Sequence, residues 1–314
     1  MGRFLGNLAA GVTLLTVAFV TVGGAMAAVA GPFKPRGEFV DIGGRRMRVV
    51  CEGPASAAPL IWMEAGAFGT AADFGAIQQK LAAKGLRSCA YDRAGMGWSD
   101  PGPGPRTTLR IVDDFEKLLA ARGDAGPFIL VGHSMAGIHL RTFAGRNPDK
   151  VAGLVLIEAA VPAPGPDPME RQFLPAFTTI ARIGSVAGSL GLTKPFAGGA
   201  DRIGLPPEAA AEKRRAYGWG RHMRTAANEV IHWGESRAEA AALPEYNPAW
   251  PTAVVMAGGR DPNSSRTKPA RLATRGHVEV VDGSSHNSVL GLTYGDAVVR
   301  GVEFVLANVN VNRS

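Results

Sequence analysis

Short apolar runs, each closed by glycine, proline or a polar residue, alternate along this chain with longer stretches in which apolar residues return every three or four positions. The runs predict buried strands and the longer stretches predict helices. Gly37–Gly44 and Arg45–Cys51 read as two strands joined through a Gly-Gly turn, a hairpin. Leu60–Glu64 is a third strand, Ala71–Lys84 a helix closed by Gly85, and Arg87–Tyr91 a fourth strand. A Pro/Gly linker leads to a helix over Thr107–Arg122, with Thr107 or Thr108 as its N-cap. Phe128–Val131 and Val151–Ile157 are strands flanking a helix that begins at Met135. Val161–Pro248 breaks the rhythm, opening on Pro162, Pro164, Pro166 and Pro168 and continuing with helical stretches and no strand pattern. The sheet resumes at Thr252–Met256, followed by a helix around Ser265–Arg275, a strand at Val278–Val281 and a closing helix over Tyr294–Val309. Such alternation predicts a mainly parallel sheet covered on both faces. Residues 37–161 and 249–314 would form the sheet domain, with 162–248 a helical cap inserted into it.

The N-terminus follows another pattern. Phe4–Phe33 holds no Asp, Glu, Lys, Arg or His. A secretory leader would use Leu8–Val22 as its apolar centre and be cut after Ala27 or Ala30, each closing an Ala-x-Ala. A transmembrane anchor needs about 20 apolar residues, and Leu5–Ala30 supplies them. Residues 1–33 are thus expected to be a signal peptide or a membrane anchor, placing the protein in the membrane or outside the cell interior. If the segment is retained, Lys34, Arg36, Arg45, Arg46 and Arg48 argue for a cytoplasmic domain, although that rule weakens before a large domain. The side of the membrane stays open.

Composition narrows the function classes. With 46% hydrophobic and 19% charged residues among 314, the chain is globular, not disordered. Its net charge of +7 is spread mostly over single arginines with no basic run interleaved with aromatics, so no nucleic-acid partner is expected. The longest basic cluster, Lys213-Arg214-Arg215, lies in an Ala/Glu-rich stretch and reads as a solvated helix face. Two cysteines, Cys51 and Cys89, make no zinc site of their own, and neither C-x-x-C nor H-E-x-x-H occurs, so no metal or other cofactor is implied.

The chemistry concentrates in Phe128-Ile-Leu-Val-Gly-His-Ser-Met-Ala-Gly137. A serine on a sharp strand-to-helix turn has its hydroxyl raised above the sheet edge, the nucleophile-elbow geometry, which makes Ser134 the candidate nucleophile. Gly132 and Gly137 fit that turn because bulk there would collide with strand or helix. The usual G-x-S-x-G has Ala136 in its last position here, with Gly137 directly after it. Asp261 and His286 follow in the order acid, base, each beyond the carboxyl end of an expected strand, and in a parallel sheet those ends share one edge. Glu158, after the strand that follows the elbow, is the alternative acid.

Glu64-Ala-Gly-Ala67, Tyr91-Asp-Arg-Ala-Gly-Met-Gly-Trp-Ser99, Gly132–Gly137, Gly258-Gly-Arg-Asp261 and Gly283-Ser-Ser-His286 together resemble the α/β-hydrolase family, in that family's order. The resemblance runs from about Glu38 to the C-terminus and implies an α/β fold: a mostly parallel eight-stranded sheet with only the second strand antiparallel, helices on both faces and an inserted helical cap. It also implies a serine hydrolase acting on an ester or amide through Ser134, His286 and Asp261. The oxyanion would be received by the backbone N–H groups of Met135 and Ala67, with Phe68 the alternative to Ala67. The Asp92–Asp100 loop would be structural, shaping the floor near the oxyanion loop. In this fold the second and fourth strands are neighbours, so Cys51 and Cys89 could bond if the domain is exported, or remain two buried thiols. The apolar cap points to a hydrophobic small-molecule substrate, and the N-terminal segment adds the membrane as a partner. Glu229, Glu235 or Glu239 would instead hold a substrate amine in an aminopeptidase of the proline-iminopeptidase kind. A non-catalytic binding protein on the same fold is the third reading.

Overall fold

The computed structural model describes residues 2–29, 33–162, 168–193 and 202–309. Eight strands form one sheet in the order β1-β2-β4-β3-β5-β6-β7-β8. They are β1 (Glu38–Asp41), β2 (Arg46–Glu52), β3 (Ile61–Glu64), β4 (Ser88–Tyr91), β5 (Phe128–His133), β6 (Val151–Ile157), β7 (Thr252–Ala257) and β8 (Gly276–Val281). Only β2 runs against its neighbours, β1 and β4; the remaining pairs are parallel. The expected hairpin is present, its turn closed by Asp41 Oδ1, which accepts the N–H groups of Gly43 and Gly44 at 2.8 Å each.

The central strands are apolar without interruption because both of their faces are covered. In β5, Ile129 and Val131 pack on one side with Ile77, Leu81, Val298 and Val302. Phe128 and Leu130 pack on the other with Phe115, Leu118, Leu140 and Phe143, so the two-residue period of a strand divides the core in two. The first layer is carried by α2 (Gly75–Ala83) and α9 (Asp296–Asn308), the second by α3 (Thr108–Arg122) and α4 (Ala136–Arg146).

Between β6 and β7 lie α5 (Pro168–Ser189), α6 (Pro207–Tyr217), α7 (Gly220–Ile231) and α8 (Trp233–Ala241), the helical excursion expected from the sequence. It is joined to the sheet layer by polar bonds as well as packing. Thr107 stands at the N-cap of α3 but its hydroxyl makes no cap bond. Instead, the exposed amides at that end are met from the inserted helices: Thr108 N–H donates to Ser236 Oγ at 3.0 Å and Leu109 N–H to Glu239 Oε2 at 3.1 Å. The basic cluster expected on a solvated face is in part buried. Lys213 is 4% exposed and paired with Asp73, because α6 packs on the turn that precedes α2.

Cys51 and Cys89 face each other across the antiparallel β2/β4 pair and form a disulfide, with Cα atoms 4.0 Å apart. The apolar N-terminal stretch forms one helix, α1 (Gly2–Val29). Among the described residues no helix is long and apolar enough to cross a membrane, so the membrane reading of this segment rests on its sequence.

Candidate active site

Ser134 sits between the last residue of β5 and the start of α4 with φ 55°, the left-handed region that side chains avoid. Its backbone is pinned on both sides, its N–H donating to Ile157 O at 3.0 Å and its carbonyl accepting Ala160 N–H at 2.9 Å. The neighbouring glycines have the reasons expected of them. A Cβ at Gly132 would lie 2.6 Å from Leu140 of α4, and one at Gly137 would strike the Ala160 carbonyl oxygen. The departure at Ala136 is absorbed because its methyl group lies against the vacant side of Gly132.

Three non-glycine residues among those described have positive φ: Phe68, Ser134 and Glu158. All three follow carboxyl ends of strands, β3, β5 and β6, along the one rim. Strain of this kind is held only where the surroundings over-determine it, and it marks sites.

His286 is brought to Ser134, its Nε2 accepting from Ser134 Oγ at 3.0 Å. Its Nδ1 donates to Glu158 Oε2 at 3.1 Å, so the carboxylate behind the imidazole is Glu158 and not Asp261. Asp261 is exposed four residues past the end of β7, where its Oδ1 accepts Asn263 N–H at 2.8 Å and closes its own turn. Glu158 directly follows β6, the strand between β5 and β7, and is fully buried. Its Oε1 accepts Ala257 N–H at 2.9 Å, and Arg260 Nε lies 3.3 Å from Oε2. Burial alone would raise the Glu158 pKa, but the bonds from His286 and Ala257 and the nearby Arg266 and Arg260 outweigh it and hold the pKa down at about 2.

His133 lies directly before Ser134 at the end of β5. It is buried, stacks at a tilt against the His286 ring with centroids 4.7 Å apart, and donates from Nε2 to the His286 carbonyl at 2.8 Å. Burial, and next the adjacent His286, press its pKa down to about 3, so it stays neutral and serves as a brace for the His286 loop.

The loop after β3 approaches the elbow so closely that a Cβ at Gly66 would lie 2.9 Å from Ser134 Cβ. Gly69 N–H donates to Gly66 O at 3.0 Å, folding Ala67 and Phe68 over the elbow. Met135 is the N-cap residue of α4, where a backbone N–H has no partner within the helix.

Arg93, in the Asp92–Asp100 loop, does what that loop was expected to do. It is 2% exposed and grips the loop after β3, donating to Ala65 O at 2.5 Å and Gly66 O at 3.0 Å. Glu64, at the end of β3, accepts from Arg93 Nη1 at 2.9 Å and from the Tyr91 hydroxyl, so its buried carboxylate is satisfied by side chains. Burial raises the Glu64 pKa, against the pull of Arg93 and Tyr91.

Two apolar clusters meet at the loop after β3: Met135, which directly follows Ser134, packs with Ile138, Trp233, Leu174 and Ala67, and Val230 and Ala227 pack with Phe68, Phe177 and the same Ala67. His222 is buried on α7 and accepts Gly97 N–H at 3.1 Å. Among the described residues no cluster of three or more His, Cys, Asp or Glu side chains is disposed to hold a metal.

The family model described as the alpha/beta hydrolase family matches residues 15–300. A pyrethroid hydrolase of Sphingobium wenxiniae is 35% identical over 106 residues, 33% of this chain and 36% of that protein. A Hormonema carpetanum protein named "Probable transporter efuK" is 35% identical over 127 residues, 38% of this chain and 18% of that protein. Each of the curated relatives is thus matched over well under half of its own length. The crystal structure of an epoxide hydrolase from Vigna radiata superposes with a TM-score of 0.60 at 16% identity, covering 85% of this chain and 97% of that one, a likeness of fold.

Proposed function

Because the chain belongs to the alpha/beta hydrolase family, we propose that it is a serine hydrolase that cleaves a carboxylic ester, or less readily an amide, through an acyl-serine intermediate. The observation that carries the reading is the unbroken line from Ser134 Oγ through both nitrogens of His286 to the Glu158 carboxylate. Ser134 Oγ attacks the substrate carbonyl carbon while His286 Nε2 takes its proton. Glu158 keeps the other imidazole proton on Nδ1 and stabilises the imidazolium. The oxygen that becomes negative is received by the Met135 N–H, at the positive end of α4, and by the Ala67 N–H. The bond to the leaving oxygen then breaks, and that oxygen takes the proton from Nε2. A water, deprotonated by His286, attacks the acyl carbon, releases the acid and returns the proton to Ser134.

A serine at the elbow, where epoxide hydrolases and dehalogenases use an aspartate, argues against those chemistries. The apolar clusters that begin at Met135 and Ala67, with Trp233, Leu174 and Phe177, favour a hydrophobic acyl or alcohol group. The name of the Sphingobium relative, pyrethroid hydrolase, agrees with a bulky apolar substrate. The aminopeptidase reading loses two of its three carboxylates, since Glu229 is bound to Arg93 and Glu239 caps α3, and it then rests on the exposed Glu235. In the same proposal α1 serves as a leader or membrane anchor and α5–α8 as the cap. The Cys51–Cys89 disulfide favours an oxidising compartment for the domain.

A fluorophosphonate probe should attach to Ser134 in the folded protein and be lost in Ser134→Ala. A folded protein that takes no label would replace the hydrolase with a binding protein. A series of p-nitrophenyl esters beside aminoacyl-anilides then orders the substrate classes.

A further inference from the structure

We propose that Arg93 and Glu229 are a positioning pair that ties the seating of α7 to the orientation of the Gly66–Ala67 peptide, and hence to the donor that receives the oxyanion. The inference rests on the serine-hydrolase reading and deepens it.

A guanidinium has five N–H donors in a fixed fork. In Arg93 all five are used. Nη1 serves Glu64 Oε1 at 2.9 Å and Ala65 O at 2.5 Å, and Nη2 serves Gly66 O at 3.0 Å and Glu229 Oε2 at 2.7 Å. The fifth, on Nε, serves Glu229 Oε1 at 2.9 Å. Both partners are buried, Arg93 2% and Glu229 1% exposed, so solvent does not compete for these bonds.

Gly66 O and Ala67 N–H are opposite ends of one planar trans peptide and point in opposite directions. Turning the carbonyl toward Arg93 therefore turns the Ala67 N–H away from it. Gly66 itself lies against Ser134. Arg93, beside the Gly69 N–H that donates to the same oxygen at 3.0 Å, thus helps to set the rotation of the peptide whose N–H is assigned to the oxyanion, without touching substrate.

Two of the five bonds to Arg93 come from α7, through both oxygens of Glu229. The same helix reaches the loop again by packing, as Ala227 and Val230 lie in one apolar cluster with Ala67 and Phe68. If α7 moves off the sheet domain, the guanidinium loses two acceptors and its fixed direction, and the loop loses its brace. Catalytic competence then requires α7 in place.

Glu229→Gln keeps the shape but sets an amide N–H₂ against an N–H donor of Arg93. Arg93→Lys keeps the charge but cannot reach acceptors in three directions with fixed geometry. Each variant is titrated with a fluorophosphonate to count folded sites labelled at Ser134, and turnover of a p-nitrophenyl ester is expressed per labelled site. We expect kcat per site to fall about 100-fold, as for loss of one oxyanion donor, with KM within about threefold. Affinity for a boronic acid, which forms a tetrahedral adduct on Ser134, should fall by the same factor. A purely structural role would lower the number of labelled sites and leave turnover per site intact, and that result in either variant overturns the proposal. Failure of the wild type to take the label overturns the hydrolase reading instead.

Discussion

Replacing Glu158 by glutamine tests the site most sharply, because it changes one oxygen to nitrogen at the point where sequence and structure part. In the wild type, Oε2 accepts from His286 Nδ1 at 3.1 Å and lies 3.3 Å from Arg260 Nε. With Oε1 kept on the Ala257 amide, the new N–H₂ would face a donor on both. The imidazole must then give up its Nδ1 proton or turn away, and either puts a proton or empty space where Ser134 needs an acceptor. Substituting an amide for the triad carboxylate costs about 10⁴ in kcat in serine hydrolases generally, or about 5.5 kcal/mol of transition-state stabilisation. Hydrolysis of a p-nitrophenyl ester by Glu158→Gln should fall by that order, while Asp261→Asn should stay within about twofold of wild type. There is a stability signature as well. The folded pKa of Glu158, about 2, lies below its ordinary 4.5, so the carboxylate adds stability that is complete above about pH 4.5 and is lost as pH falls toward 2. That contribution is on the order of 3 kcal/mol. The gap in thermal stability between wild type and Glu158→Gln should therefore close across this acid window. A glutamine variant with activity within tenfold of wild type, or an Asp261→Asn protein that is dead, would refute the assignment.

Ser134→Ala should reduce kcat on the order of a millionfold while leaving the melting temperature near that of wild type, measured by ester hydrolysis and calorimetry. Gly66→Ala, which would bring a methyl carbon 2.9 Å from Ser134 Cβ, should lower kcat more than it lowers the melting temperature. Gly137→Ala should do the reverse and fail first in stability, since the methyl meets the fixed Ala160 carbonyl. Replacing Cys51 and Cys89 together by serine should cost about 2–4 kcal/mol in denaturant unfolding and abolish the effect of reductant on the wild type.

The sheet could be read from the chain because burial on both faces leaves its strands uninterrupted, as in Phe128–Val131 and Val151–Ile157. Ser134 was legible for the same reason: a serine between such a strand and a helix has one place to go. The acid was not, because Asp261 and Glu158 both follow strands that end on the one rim, and both satisfy the order acid before histidine. What separates them is the left-handed backbone at Glu158 and an Asx turn at Asp261, neither of which hydrophobic pattern encodes. A signal was nevertheless present. Glu158 closes a seven-residue strand that is buried throughout, and a carboxylate so placed requires donors nearby. Glu64 closes β3 in the same way and has Arg93 and Tyr91. Lys213 misled for the opposite reason, since its partner Asp73 lies 140 residues away in sequence.

Taking the acid from β6 has a bearing on what this scaffold tolerates. In the proposed reading nucleophile and acid stand on adjacent strands whose ends are laced together by the Ser134–Ile157 and Ala160–Ser134 amide bonds, so the backbone ties one to the other directly. On that reading the exposed turn beyond Arg260 is relieved of chemical duty, and an engineer wishing to lengthen, graft or randomise a stretch has one at Asp261–Asn263 whose rewriting spares the proton path.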